Sequence, residues 1–290
     1  MDVDLRKLRY FVAVAEEMHF GRAATRLHIA QPVLSRQIRA LEAELGVELF
    51  RRDRRGTELT AAGQQLLDDA RPVLTSAEAM TRRVRAAAQG PASFAIGFMP
   101  GITVTSAVRS LRSNHPDLDV RLLRTSWHDQ TEVLHDGRAD VSIVRLPIDP
   151  AGLETRALFT EPRVAVVPAG HRLAGKESVR IADLAADHLL QDPDAVPEWR
   201  DIATELRSGD HQPVRPIHSV EEKLELVAGG AGIAVIPAST ARFYTRTGVA
   251  AIPIEDIGPN QVALAWSSGR CTALVQEFAE TAAELLPEYD

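Results

Sequence analysis

The stretch LRYFVAVAEEMHFGRAATRLHIAQPVLSRQIRALEAELGVELFRRDRRGTELTAAG, Leu8 to Gly63, decides the fold of the N-terminal part of this chain. Leu5, Leu8, Phe11, Val12 and Ala15 recur at helical spacing and read as the buried stripe of a first helix. Phe20 to His28 forms a second, short helix with Ala23, Ala24 and Leu27 inward. After a turn through Ile29-Ala30-Gln31, Pro32 opens a third helix, where its missing N–H costs nothing. That helix runs to about Leu45 and stops at Gly46. Leu34, Ile38, Leu41 and Leu45 point to the core, so Gln31, Val33, Ser35, Arg36 and Arg39 face away. Gln and Arg match adenine and guanine edges bidentately, and Ser reaches bases or phosphate. A merely solvated helix would carry polar residues too. The turn before it and the basic segment after it favour contact with DNA.

That basic segment, Phe50 to Thr60, reads as two short strands around a tight turn at Gly56. Arg54 or Arg55 at the tip would enter a minor groove, while the other arginines, Arg52 among them, touch phosphates. Together these elements predict a winged helix-turn-helix over residues 1–60.

Charge distribution fits that reading better than total charge does. The 290 residues carry a formal net charge of −7. Residues 1–60 hold 11 Lys/Arg against 9 Asp/Glu, a net of +2, which leaves 22 against 31, a net of −9, for the rest. A locally basic face on an acidic protein suits a reader that does not coat nucleic acid indiscriminately. The single cysteine, Cys271, closes no intramolecular disulfide, and nine scattered His show no metal-ligand spacing. No metal or cofactor is therefore expected. GxSxG and P-loop motifs are absent, so an enzyme is disfavoured. Neither a signal core nor a run of about 18 apolar residues appears. A cytoplasmic protein without membrane attachment is the expectation.

Thr60 is placed to cap a long helix over 61–89. Leu66, Ala70, Val73, Ala77, Met80, Val84 and Ala87 alternate by four and three, a heptad seam for a partner helix. Packing on its own domain is the alternative. Pro72 predicts a bend or an interruption near Leu67 to Asp69. Gln89-Gly90-Pro91-Ala92-Ser93 reads as a hinge.

From residue 92 onward, strands alternate with helices. Phe94–Phe98, Val120–Arg124 and Val141–Val144 with intervening helices imply a parallel sheet covered on both faces. A second such unit is expected from Val164–Val167, His188–Leu190, the helix Val220–Ala228 and Ile233–Ile236. Gly229-Gly230-Ala231-Gly232 follows a helix and precedes a strand, the reverse of a dinucleotide fingerprint, and reads as a cap and turn. Val262–Trp266 is a strand and Thr272–Leu286 a final helix. The fold class is thus α+β multidomain. Its C-terminal part is a two-lobed α/β domain resembling periplasmic binding proteins, with lobe I about 92–162 and 267–290 and lobe II about 163–266. Ligands in such sheets bind beyond the carboxyl ends of strands. The effector contacts expected there are Met99, Pro100, Gly101, Ile102, Thr103, Thr125, Ser126, Trp127, Arg145 and Trp199. Arg145 would grip an anion or bridge the lobes, and the two Trp would form aromatic walls.

The stretch through Phe50, extended by LTAAG, resembles the LysR-type transcriptional regulators, in which AQPVLS (Ala30–Ser35) stands where AQPPLS or SQPALS is usual. DVSIVRLP, LFTEPRVAVVPAGHRLA and LELVAGGAGIAVIPAS resemble the family's effector domain, so the resemblance covers nearly the whole chain. It implies Gln31, Pro32, Ser35 and Arg36 as main DNA contacts with Arg55 in the wing. It also implies a linker helix that pairs subunits, and dimers that pair into tetramers. The implied partners are promoter DNA with an interrupted palindrome, a small organic effector (an acid or an aromatic), and RNA polymerase. The branch nearest in look answers muconate- or benzoate-like acids and carries Ser and Thr where this chain has Gly101 and Trp127. That exchange favours a bulkier or flatter ligand, or a cleft partly filled by Trp127. Ligand-independent or thiol-based switching through Cys271 is the alternative.

Overall fold

The structure, a computed structural model, describes residues 4–53, 56–88, 92–209, 217 and 219–286, without the side chains at 52, 53, 56, 83 and 85–88. It divides into two compact units, Met1–Gln89 with His135–Gly137, and Gly90–Leu134 with Arg138–Asp290.

The first unit is built from α1 (Leu5–Glu17), α2 (Phe20–Arg26), α3 (Gln31–Leu45), the hairpin β1 (Phe50–Asp53) and β2 (Gly56–Leu59), and α4 (Ala61–Ala88). Asp4 caps α1 through the Arg6 N–H. His19 caps α2, its Nδ1 accepting from the N–H groups of Gly21 at 3.0 Å and Arg22 at 3.2 Å. Phe11, Val14, Ala23, Leu34 and Ile38 form the centre of the core. Phe50 anchors the hairpin between Phe11 and Phe20, with ring centroids 5.3 and 5.7 Å away. Glu42 of α3 ties helix to hairpin by accepting from Leu49 N–H at 2.9 Å and Phe50 N–H at 3.3 Å.

Thr60 does cap α4, accepting from Gly63 N–H at 2.9 Å and donating to the Glu48 carbonyl at 2.7 Å. Gly63 is required there, because a Cβ would lie 2.2 Å from the Leu49 carbonyl oxygen. The interruption expected near Leu67 to Asp69 does not occur, since α4 is continuous across Pro72. Proline removes one hydrogen bond from a 28-residue helix, while Leu67, Ala70 and Leu74 are buried within the unit's own core. The expected seam is also divided. Leu66 and Ala70 pack with Leu8 inside the unit, whereas Val73, Met80 and Val84 are exposed. The Ala87 side chain and the Gln89–Pro91 part of the hinge lie outside the described residues.

The second unit contains two sheets. The larger has the order β4 (Asp119–Arg124), β3 (Ser93–Phe98), β5 (Val141–Arg145), β10 (Asn260–Ser267), β6 (Leu153–Glu161). β3 is parallel to β4 and β5, and β10 runs antiparallel to β5 and β6, so the sheet is mixed rather than parallel throughout. Alternation along its strands feeds two cores. Ile143, Val262 and Leu264 join α5 (Thr105–Asn114) and α11 (Ala273–Leu285) on one side. Val144, Ala263 and Ala265 join α6 (Glu132–His135) on the other.

The smaller sheet has the order β8 (Ala234–Pro237), β7 (Arg163–Pro168), β9 (Val249–Pro253). Its pairings are antiparallel, which corrects the expected parallel unit. Among the described residues of this lobe, parallel pairing survives as the single bridges Val179 to Ile254 and Leu189 to Ile233. Around this sheet lie α7 (Pro197–Arg200), α8 (Thr204–Ser208), α9 (Val220–Ala228) and α10 (Ala238–Phe243). β10 belongs to the larger sheet, so the expected lobe II boundary at 266 moves to before Asn260. The chain crosses between sheets at Glu161–Arg163 and again between Pro253 and Asn260.

Candidate functional site

The first candidate surface is the outer face of α3. Leu34, Ile38 and Leu41 are buried, which fixes the helix rotation. Gln31, Pro32, Arg36 and Arg39 are consequently exposed, and Val33 and Ser35 are half-buried beside them. Ala30 provides no side-chain cap, so the first turn presents its amide end without competition from a capping oxygen. The wing follows in antiparallel register, Phe50 with Leu59 and Asp53 with Gly56. The Arg52 side chain, Arg54 and Arg55 lie outside the described residues.

The second candidate is a cavity of about 800 Å³ between the two sheets. Met99, Pro100, Thr125, Ser126, Trp127 and Arg145 of the expected set line it. Trp127 is 40% exposed and belongs to the wall. Asp129 holds its loop by accepting from the Ser126 N–H at 2.6 Å and hydroxyl at 2.7 Å.

Four expected contacts fall elsewhere. Trp199 is 0% exposed in the core under the smaller sheet, with Nε1 donating to the Leu184 carbonyl at 3.1 Å, so it is no aromatic wall. Ile102 is buried in the core of the larger sheet, and Thr103 is exposed away from the cavity. Gly101 has φ +84°, and a Cβ there would lie 2.6 Å from the Thr240 backbone nitrogen. A bare backbone at this position lets the loop after β3 press against α10 of the opposite lobe. Glycine at this position thus serves contact between the lobes.

Arg145 resolves in favour of bridging. Its side chain is 3% exposed and donates Nε to Glu161, itself 0% exposed, at 2.9 Å. The guanidinium also donates to the Pro100 carbonyl at 3.0 Å, Ser239 Oγ at 3.0 Å and Thr240 Oγ1 at 3.4 Å. Gln130 brackets the Arg145 backbone, accepting from its N–H at 2.8 Å and donating to its carbonyl at 3.2 Å. One side chain therefore ties the β5 end, the crossover and α10 together. Four of its five N–H donors are engaged within the protein and its charge is met by Glu161, which disfavours an anion ligand on it.

Sequence reasoning missed Lys223 and Arg163 as wall residues, while Gln191, at the edge of an expected lining segment, does line the cavity. Arg163 pairs with Glu198 and donates to the Gly258 carbonyl at 2.8 Å. Gln191 Oε1 accepts from Val235 N–H at 3.1 Å. Lys223 had a signal: it shares the inward stripe of α9 with Val220, Leu224 and Val227, where a lysine interrupts an apolar pattern. Burial depresses the pKa of its ammonium below the ordinary lysine value.

Among the described residues, no group of three or more His, Cys, Asp or Glu is arranged to hold a metal, and no helix is long and apolar enough to cross a membrane. Cys271 is exposed and is the chain's one cysteine.

Residues 5–64 match the lysR family of bacterial regulatory helix-turn-helix proteins, and residues 91–287 match the LysR substrate binding domain. The chain is 36% identical over 276 residues to the uncharacterized HTH-type transcriptional regulator YnfL of Escherichia coli, covering 92% of this chain and 93% of that one. It is 34% identical over 292 residues to the Hca operon transcriptional activator HcaR of the same organism, covering 98% of each. Among solved structures, the LysR family regulator CbnR in complex with its target DNA superposes with a TM-score of 0.60 at 27% identity, covering 97% of this chain and 99% of that chain. The two matched regions, together with these nearly full-length matches to regulators, make this chain a member of the LysR family of DNA-binding transcriptional regulators with an effector-binding domain.

Proposed function

We propose that the outer face of α3 reads promoter DNA, with Gln31, Val33, Ser35, Arg36 and Arg39 at base edges and phosphates, Pro32 setting the helix start, and Arg52, Arg54 and Arg55 following the adjacent backbone and minor groove. The observation that carries this is the forced exposure of Arg36 and Arg39 by the burial of Leu34, Ile38 and Leu41. The exposed residues Val73, Met80 and Val84 of α4 support pairing with a second copy, and two such dimers would span an interrupted inverted repeat near RNA polymerase. Such a protein works in the cytoplasm on chromosomal DNA.

The cleft receives the effector. A small organic acid or aromatic compound, of the type answered by regulators of aromatic degradation, would bind one lobe arrangement more tightly than another and so shift the DNA-bound geometry. Thiol switching is not favoured: Cys271 has no second cysteine in the chain to pair with. DNA footprinting with the full chain, with and without candidate ligands, is the test. Protection of an inverted repeat whose extent changes with ligand supports the proposal. Sequence-independent protection, unchanged by any ligand that binds the cleft, refutes it.

A further inference from the structure

Most of the charged groups of the cavity wall are committed to partners. Arg145 is held by Glu161, and Arg163 by Glu198. Arg124 pairs with Glu221 at 3.4 Å. Asp129 is occupied by Ser126, and Asp192 by the Asp194 N–H at 2.9 Å.

Trp127, His128 and Asn260 stand outside these pairs, as do two further groups on opposite lobes. Lys223, half-buried on α9, has no hydrogen-bond or ion-pair partner among the described residues, and partial burial lowers its pKa. Thr125, 3% exposed just after β4, has a buried hydroxyl without a hydrogen-bond partner. Both line the same cavity from opposite lobes. A half-buried ammonium that lines the cavity without a partner, and a buried hydroxyl that has none, are both better satisfied by a ligand that accepts from them. Between them the wall is apolar, with Leu190, Val220, Val235 and Ile236.

We propose that Lys223, answered from the other lobe by the Thr125 hydroxyl, reads the charge of the effector, which is a small organic anion with an apolar body. This rests on the reading of the cavity as the effector site, and it moves charge recognition from Arg145 to Lys223. An anion on Lys223 that also accepts from Thr125 links the lobes, so the pair couples recognition to lobe closure.

The test is the melting temperature of the full chain, followed by tryptophan fluorescence, with benzoate against benzamide and hexanoate against hexanamide at millimolar concentrations. At least one carboxylate should raise the transition while its amide does not. Lys223→Met should weaken that carboxylate roughly 10- to 100-fold, Lys223→Arg should restore most of it, and Thr125→Val should weaken it about 3- to 10-fold. The proposal is overturned if neither carboxylate stabilises the protein, if the amides match the acids, or if Lys223→Met binds undiminished. Acids and amides binding alike would discard charge recognition and leave the cleft as effector site. Lys223-dependent binding that leaves the DNA footprint unaltered would uphold this proposal and refute the regulatory one.

Discussion

Glu161→Gln should destabilise the effector domain by an amount that the surroundings of Arg145 define. The Glu161 carboxylate accepts from Arg145 Nε at 2.9 Å and from the Ser239 N–H at 3.3 Å, and both charged side chains are almost fully buried. Glutamine keeps one acceptor oxygen and turns an NH2 group toward a donor. It also leaves the guanidinium without its counter-charge. Removing one partner of a buried pair costs about 3–5 kcal/mol, because the remaining charge stays desolvated. With a urea slope of about 2 kcal/mol per M, the unfolding midpoint should fall by roughly 1.5–2.5 M. The three tryptophans, Trp127, Trp199 and Trp266, all lie in the effector domain, so their fluorescence reports its unfolding within the intact chain. Combining Glu161→Gln with Arg145→Met should cost clearly less than the sum of the two single changes, since the second removes the orphaned charge. A midpoint fall below about 0.3 M, or strict additivity in the double variant, would refute the idea that this pair ties the lobes.

Other parts of the structure give further expectations. Gly63→Ala forces a Cβ onto the Leu49 carbonyl and should cost about 1–3 kcal/mol, read as an earlier thermal transition of the DNA-binding domain by circular dichroism. His19→Ala removes the cap of α2 and should cost about 1 kcal/mol in the same assay, while His19→Asn should retain most of the cap. Gly101→Ala combines a left-handed backbone with a collision on the Thr240 backbone. It should weaken ligand stabilisation of the effector domain more than Thr103→Ala, measured by thermal shift. Lys223→Met should raise the melting temperature of the ligand-free effector domain, because it removes a half-buried charge that lacks a partner among the described residues.

The DNA-binding half was legible because its signals are local. Helical spacing of Leu34, Ile38 and Leu41 fixes which side of α3 is outside, and Pro32 and Gly46 mark its ends. The effector half was legible in element type and only partly in pairing. Hydrophobic spacing identifies Val164–Val167 as a strand but says nothing of the direction of its neighbours, which proved antiparallel. β6 escaped notice because LETRALFTE is exposed along most of its length and shows no alternation. Trp199 sits in the polar run DPDAVPEWR, so its complete burial is a tertiary fact that local reading does not supply. Arg145 illustrates the same limit. Its place at a strand end was legible, whereas its partners at Glu161, Pro100, Ser239 and Thr240 come from three distant segments.

The central claim is that the outer face of α3 reads a specific DNA sequence. Selection of bound duplexes from a random pool by the full chain, followed by affinity measurements with Arg36→Ala on the enriched site, tests it most directly. The account predicts enrichment of an interrupted inverted repeat and a loss of about 1–3 kcal/mol for Arg36→Ala on that site, with little loss on unselected DNA. No enriched sequence, or equal losses on selected and unselected DNA, would contradict it.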